Sequence, residues 1–348
     1  MQIYIPVKEI HGAHISLNRL FSFNECRVFL CIGARGYGKT FASKRKCFKD
    51  FKFKNKRFIV ARDTTAACDE LCKDNGEKFL NDIASIQNFS NDKIEVKGQT
   101  IYFNDKIAGE IMPLSTYYKY KGNKYDIGWL LFDEFIEEDC QAYRGNRARQ
   151  FVNTLQTTIR DKDSARIICT ANALDMGNEI LELLDFHIKN GQYGYYLNKE
   201  KKSVLYYAPN SPEFEKRQEN SISSVIAKGT FLDASMNKNE FESNGCVIFE
   251  KRKPCDIWGI YYNLENECFR LYQAKDGSTF YVCKDINSNS YSYMRYVFTA
   301  KQAKMDRILA DSKIRQWLKK LLATKQVQFE SQYLFGVYCS IVENTLKK

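Results

Sequence analysis

The chain has 348 residues, 44% hydrophobic and 27% charged, with 53 Lys and Arg against 42 Asp and Glu and a formal net charge of +11. That length accommodates about two domains with cores of their own, and the composition is that of a folded chain rather than a disordered or fibrous one. No apolar run approaches the ~18 residues of a membrane helix, and the start alternates polar and apolar side chains without a signal-peptide pattern, so no membrane contact and a cytosolic location are expected.

The 12 cysteines are scattered through apolar, strand-like runs such as those around Cys31, Cys169, Cys268 and Cys283, which reads as reduced core thiols rather than a disulfide framework. Cys68 and Cys72 are at helical spacing without a second pair, which argues against zinc, and His11 and His14 carry no recognisable chemistry. The basic excess points to phosphate-bearing partners. From Cys246 onward, 17 Lys and Arg face 10 Asp and Glu, so +7 of the charge lies in the last 103 residues, which favours nucleic acid over an acidic protein.

Phe29 to Ile32 is an apolar strand that runs into Gly33-Ala34-Arg35-Gly36-Tyr37-Gly38-Lys39-Thr40, and this fits G-x-x-x-x-G-K-[ST]. In such a loop successive backbone N–H groups converge on phosphates, the lysine reaches the β- and γ-phosphates, and the threonine hydroxyl binds Mg²⁺. Gly33, Gly36 and Gly38 would shape that cradle, and Lys39 and Thr40 would hold ATP and its metal. A basic helix over Phe41 to Phe51 and a strand over Arg57 to Arg62 follow. Thr64 to Ile86 reads as helical, with Leu71, Phe79, Leu80 and Ile83 as core contacts.

From Ile94 the period shortens. Ile94 to Val96, Thr100 to Phe103 and Lys106 to Met112, with turns at Lys97-Gly98 and Asn104-Asp105 and a stop at Pro113, predict an antiparallel insertion on an α/β core. In Tyr117 to Tyr125 aromatics alternate with Lys119, Lys121 and Lys124. The lysines suit phosphates and the tyrosines suit stacking on bases, although a plain surface loop has the same composition.

Ile127 to Phe132 is an apolar strand ending in Asp133-Glu134. A phosphate-loop ATPase needs this pair: Asp133 to hold the Mg²⁺ shell and Glu134 to polarise the attacking water. A glutamate directly after the aspartate fits ATPases of the additional-strand, catalytic-glutamate type better than GTPases that orient water with glutamine. A helix over Arg147 to Arg160 and a strand over Arg166 to Asn172 follow, and Asn172 falls where a γ-phosphate sensor would sit. Arg144, Arg147, Arg149 and Arg160 are candidates for a finger donated to a neighbour's nucleotide.

The phosphate loop, Val96-Lys97-Gly98 with Ala108-Gly109, Phe132-Asp133-Glu134-Phe135-Ile136, Arg160 and Thr170-Ala171-Asn172 together resemble the genome-packaging motor ATPase of small short-tailed, protein-primed bacteriophages, a relative of FtsK/HerA-like and terminase P-loop ATPases. The likeness is specific over about the first 175 residues. It implies Lys39 and Thr40 on nucleotide and Mg²⁺, Glu134 as base and Arg160 as a finger across a subunit interface, with Arg35 as a second candidate for sensing nucleotide. It also implies a pentameric ring on the portal of a procapsid in the host cytoplasm, pumping double-stranded DNA inward, in some members on a structural RNA scaffold.

The expected domains are a P-loop ATPase domain over 1–196, a linker module over 197–245 with Pro209 and Pro212 as breaks, and a C-terminal domain over 246–348. In the last of these, strands at 246–250, 257–262, 267–274 and 279–283 precede helices at 300–322 and 331–346, an α+β pattern. The resemblance places a ribonuclease-H-like fold there. Two-metal cleavage needs carboxylates beginning inside the first strand. This strand carries Tyr261 and Tyr262, with Asp256 only at its edge and Asp276, Asp285 and Asp306 scattered, so a nuclease-inactive docking or DNA-gripping domain is expected, with Lys251-Arg252-Lys253, Lys319 and Lys320 as contacts. A P-loop kinase acting on a phosphorylated small molecule and a nucleotide-binding module without turnover are the alternatives.

Overall fold

The computed structural model describes residues 2–7, 10, 12–81, 83, 89–120, 126–136, 147–159, 164–173, 178–189, 191–219, 221–229, 252–263, 267–284, 293–303 and 306–343. The chain divides into two compact units, Met1–Asp175 with Leu183–Glu242 and Met176–Glu182 with Ser243–Lys348.

The first unit is built on a ten-stranded sheet. Its parallel heart comprises β2 (Val28–Gly33), β3 (Arg57–Arg62), β6 (Lys106–Pro113), β7 (Ile127–Asp133), β8 (Arg166–Asn172) and β10 (Ser203–Tyr207), in the order β10-β2-β8-β7-β3-β6. Every residue of β2 and β7 is buried, as expected for parallel strands covered on both faces. β8 lies between β2 and β7, so one additional strand separates the two motif-bearing strands. The edges are antiparallel: β4 (Ile94–Lys97) and β5 (Thr100–Phe103) extend β6, while β9 (Gly194–Asn198) and β1 (Gln2–Pro6) extend β10.

Helices connect these strands: α1 (Lys39–Lys54) follows β2, α2 (Thr65–Leu80) follows β3 and α3 (Arg147–Thr158) precedes β8. Asn55 ends α1 in a left-handed conformation, its N–H donating to Phe51 O at 2.8 Å. The Thr64 hydroxyl caps α2 by accepting from Ala67 N. That helix breaks over Lys73–Gly76, where Asp74, Asn75 and Gly76 all have positive φ. Between the helices and the sheet lies an aromatic core in which Phe48 touches Phe58, Phe79, Phe89 and Phe103.

Three expectations need correction. The boundary at 196 cuts β9, because the hairpin β9–β10 completes the sheet and β10 pairs directly with β2. Pro209 and Pro212 therefore follow the last sheet strand instead of standing inside a linker, and Pro212 opens helix α5 (Pro212–Glu219), where its missing N–H costs nothing. The helix expected from 300 begins only at Ser312, because the Asp311 carboxylate caps Ile314 N at 2.9 Å. Its expected first half holds instead a 3-10 turn (Ala300–Gln302) and a short strand.

Helices α4 (Glu179–Leu183) and α6 (Ile222–Ala227) are short. The second unit carries a six-stranded sheet in the order β15-β14-β11-β12-β13-β16, made of β11 (Cys255–Tyr262), β12 (Cys268–Ala274), β13 (Phe280–Lys284), β14 (Arg295–Val297), β15 (Ile308–Leu309) and β16 (Val327–Phe329). β11, β12 and β13 are antiparallel in sequence, and β14 adds to β11 and β15 to β14 in parallel. Helices α7 (Ser312–Ala323) and α8 (Gln332–Glu343) pack on one face against Tyr261, Phe269, Leu271 and Val282. The strand expected at 246–250, together with Lys251 and Asp285, lies outside the described residues. The ten described cysteines are free thiols, and burial pushes Cys31 and Cys68 up to about 12.

Candidate nucleotide site

Because β2, β3, β7, β8 and β10 run parallel, their C-terminal ends share one edge, the place where open α/β sheets bind ligands. Register brings the motifs together: Gly33 pairs with Asn172 across β2 and β8, and Asp133 with Thr170 across β7 and β8. A cavity of about 510 Å³ opens there, lined by Arg35, Gly36, Gly38, Lys39, Thr40, Asp133, Glu134 and Asn172 along with His14 and Thr170.

The loop turns from β2 into α1 through Gly36 and Gly38, both at positive φ. Gly38 is doubly constrained, since its φ is +89° and a Cβ there would sit 3.3 Å from the His14 ring. Lys39, the first residue of α1, is 6% exposed, and its ammonium donates to Gly33 O at 2.9 Å, Ala34 O at 2.7 Å and Asn172 Oδ1 at 3.0 Å. Burial pushes it down to about 8, against the pull of the Asp133 and Glu134 carboxylates.

Thr40 Oγ1 donates to Asp133 Oδ1 at 2.7 Å, and Thr170 Oγ1 donates to the same oxygen. A hydroxyl and a carboxylate this close, at a helix N-terminus beside a lysine, form an oxygen site that suits Mg²⁺. Among the described residues no group of three His, Cys, Asp or Glu could hold a metal alone. A cation at Thr40 and Asp133 would be held by one or two protein oxygens and completed by substrate phosphates.

Arg62, at the end of β3, spans both carboxylates: Nη2 is 3.2 Å from Asp133 Oδ2, and Nη1 donates to Glu134 Oε2. Glu134 stands just past the strand at φ +59°, with its side chain half exposed, while Asp133 is buried. Phe135 N donates to Thr170 O and anchors the turn.

The structure thus gathers Gly33, Gly36, Gly38, Lys39, Thr40, Arg35, Asp133, Glu134 and Asn172 at one edge. Arg160, Arg144, Lys121 and Lys124 lie outside the described residues. Arg147 is engaged within its own chain, with Nε 3.2 Å from Asp63 Oδ1. Lys119 is exposed in a 3-10 stretch (Leu114–Tyr120) and is not among the residues that line the cavity.

Sequence reasoning missed four residues. Thr170 had a usable signal, two places before the recognised Asn172, whereas Arg62 is brought beside the carboxylates only by the pairing of β3 with β7. His14 and Arg217 are 203 residues apart and meet only in the fold, where Arg217 Nη1 is 3.3 Å from His14 Nε2.

Comparison with known proteins gives a consistent picture. Residues 13–337 match the podovirus DNA encapsidation protein (Gp16) family. The DNA packaging protein of Bacillus phage B103 is 29% identical over 241 residues, 68% of this chain and 69% of that protein. The DNA packaging protein of Bacillus phage phi29 is 29% identical over 252 residues, covering 70% of this chain and 71% of that one. In fold, the chain is similar to one in a structure of the phi29 genome packaging motor assembly, with a TM-score of 0.67 at 20% identity over 95% of this chain and 100% of that chain. With its phosphate loop and carboxylate pair closing on one cavity, this chain belongs to the podovirus DNA encapsidation protein family.

Proposed function

We propose that the protein is an ATPase that drives double-stranded DNA into a viral procapsid, working as a homo-oligomeric ring at the portal in the host cytoplasm. One observation carries the enzymatic part: Thr40 and Asp133 meet at 2.7 Å with Lys39 buried beside them and Glu134 next in sequence, so a phosphate cradle, a cation site and a base converge. The DNA-packaging part rests on membership of the encapsidation family.

In this reading Lys39 exchanges its carbonyl partners for the β- and γ-phosphates, whose charge compensates its burial. Bound Mg²⁺ would neutralise developing charge on the phosphates, held by Thr40 with Asp133 behind it. Asn172 faces Lys39 and would report on the γ-phosphate. Glu134 takes the proton of the attacking water, for which it must leave Arg62, and a cation at Asp133 competes with Arg62 for that carboxylate. Arg160 of a neighbouring subunit, with Arg35 second, would stabilise the transition state in trans, so turnover requires assembly.

For the second unit we propose a ribonuclease-H-like scaffold that grips or docks without cutting. Its support is the strand order, with three antiparallel strands flanked by parallel additions to the first. Of the acids, Asp256 is exposed at the start of β11, Asp276 binds Lys253 at 2.9 Å and Asp306 binds Arg295 at 2.9 Å. Members of this family that use a structural RNA would contact it alongside DNA and portal.

Glu134→Gln tests the enzymatic reading. It should leave nucleotide affinity within a few-fold and lower turnover by about 10²–10⁴-fold. Wild-type turnover in that variant would remove Glu134 from the chemistry.

A further inference from the structure

The outer face of the phosphate loop is held by α5, an element that no part of the proposed chemistry uses. Arg217 Nη2 on α5 donates to Gly36 O at 2.7 Å. The same guanidinium lies against His14, with Nη1 3.3 and 3.4 Å from the two ring nitrogens, and its carbon is 5.2 Å from the centre of the Phe214 ring. Phe214 in turn packs on the fully buried Tyr37 of the loop, ring centres 4.5 Å apart. The base of α5 is fixed too. Ser211 Oγ donates to Gly12 O at 2.7 Å and accepts from Phe214 N at 3.0 Å.

The peptide between Gly36 and Tyr37 is trans, so its C=O and N–H point in opposite directions. Arg217 draws the carbonyl outward. The Tyr37 N–H, on the opposite side of that peptide, donates to Ala34 O at 3.4 Å, the carbonyl that also receives Lys39. With its carbonyl held by Arg217 and its N–H by Ala34, this peptide is fixed between Gly36 and Gly38, which both line the cavity.

We propose that Arg217 is a positioning residue for the phosphate loop: by holding the Gly36 carbonyl it fixes the turn through Gly36 and Gly38 that lines the cavity, and ties nucleotide affinity to the placement of α5. This rests on the nucleotide-binding reading above. Because α5 follows β10 directly, a movement of the chain beyond Tyr207 that withdraws Arg217 loosens bound nucleotide, and nucleotide binding reciprocally holds α5.

The test uses the full chain, with fluorescent ADP titration and steady-state ATP hydrolysis. Arg217→Ala and Arg217→Met, the second keeping the apolar stem over Phe214, should each weaken ADP binding by roughly tenfold, the loss of one charged hydrogen bond. KM should rise by a similar factor with kcat at saturating ATP retained, and Arg217→Lys should recover most of the affinity. Lys216→Ala, which removes an exposed cation from the same helix, should bind as wild type. Wild-type affinity in both Arg217→Ala and Arg217→Met, a fall in kcat with unchanged KM, or an equal loss in Lys216→Ala would each overturn the proposal. A wild-type chain that binds no ADP overturns the nucleotide reading with it, whereas wild-type binding with unaffected Arg217 variants overturns this inference alone.

Discussion

Lys39 sits in an unusual place for an ammonium, nearly solvent-free and facing two carbonyls, and its depressed value of about 8 has a testable sign. Phosphates favour its charged form, so above about 8 nucleotide binding must take up a proton, and affinity falls by up to about tenfold per pH unit. Below that value affinity should be flat. Calorimetry in buffers of different ionisation heat reads the uptake directly. For stability alone the linkage runs the other way: between about 8 and the ordinary lysine value the unfolded chain holds the proton and the native chain does not, so native stability rises with pH across that window. Arg62→Ala removes the cation from the buried Asp133 and should cost about 3 kcal/mol, seen as a lower Tm. Added Mg²⁺ and nucleotide should recover part of that loss. Most of the site was legible before the fold because its chemistry sits in two short runs, Gly33 to Thr40 and Asp133-Glu134. Arg62, His14 and Arg217 were not, because each owes its position to sheet register or to long-range packing.

Among the elements, the β3–β6 pairing shows how closely backbone and sequence must match. β6 joins β3 in parallel, and at Gly109 a Cβ would lie 2.2 Å from Phe58 O. Gly109→Ala should therefore destabilise the first unit by about 1–3 kcal/mol, measured from urea midpoints, as the strand is forced off its neighbour. Buried parallel strands such as β2, β7 and β8 were legible as apolar runs, and the β4–β5–β6 hairpin from its turn residues. The short strands β14, β15 and β16 were not, since two or three residues carry no periodicity and gain their pairing from β11, β14 and β13 in turn. The β9–β10 hairpin is not legible as sheet, because after Tyr196 the composition turns to Lys, Asn, Ser and Glu and two prolines follow, a linker-like pattern. In the fold those tyrosines pack across the hairpin, with Tyr195 and Tyr206 stacked at 4.4 Å.

At the scale of the molecule, the two units and the net charge of +11 set the expectations for assembly and DNA. Binding to duplex DNA should weaken steeply with salt, because released counterions drive it. The proposed DNA-driven, assembly-dependent turnover is tested by the ATP hydrolysis rate per subunit, with and without duplex DNA, across protein concentrations that span assembly. The rate should rise with concentration and rise again with DNA. Nucleotide binding without phosphate release at any concentration, or transfer of the γ-phosphate to a small acceptor with no response to DNA, would contradict it.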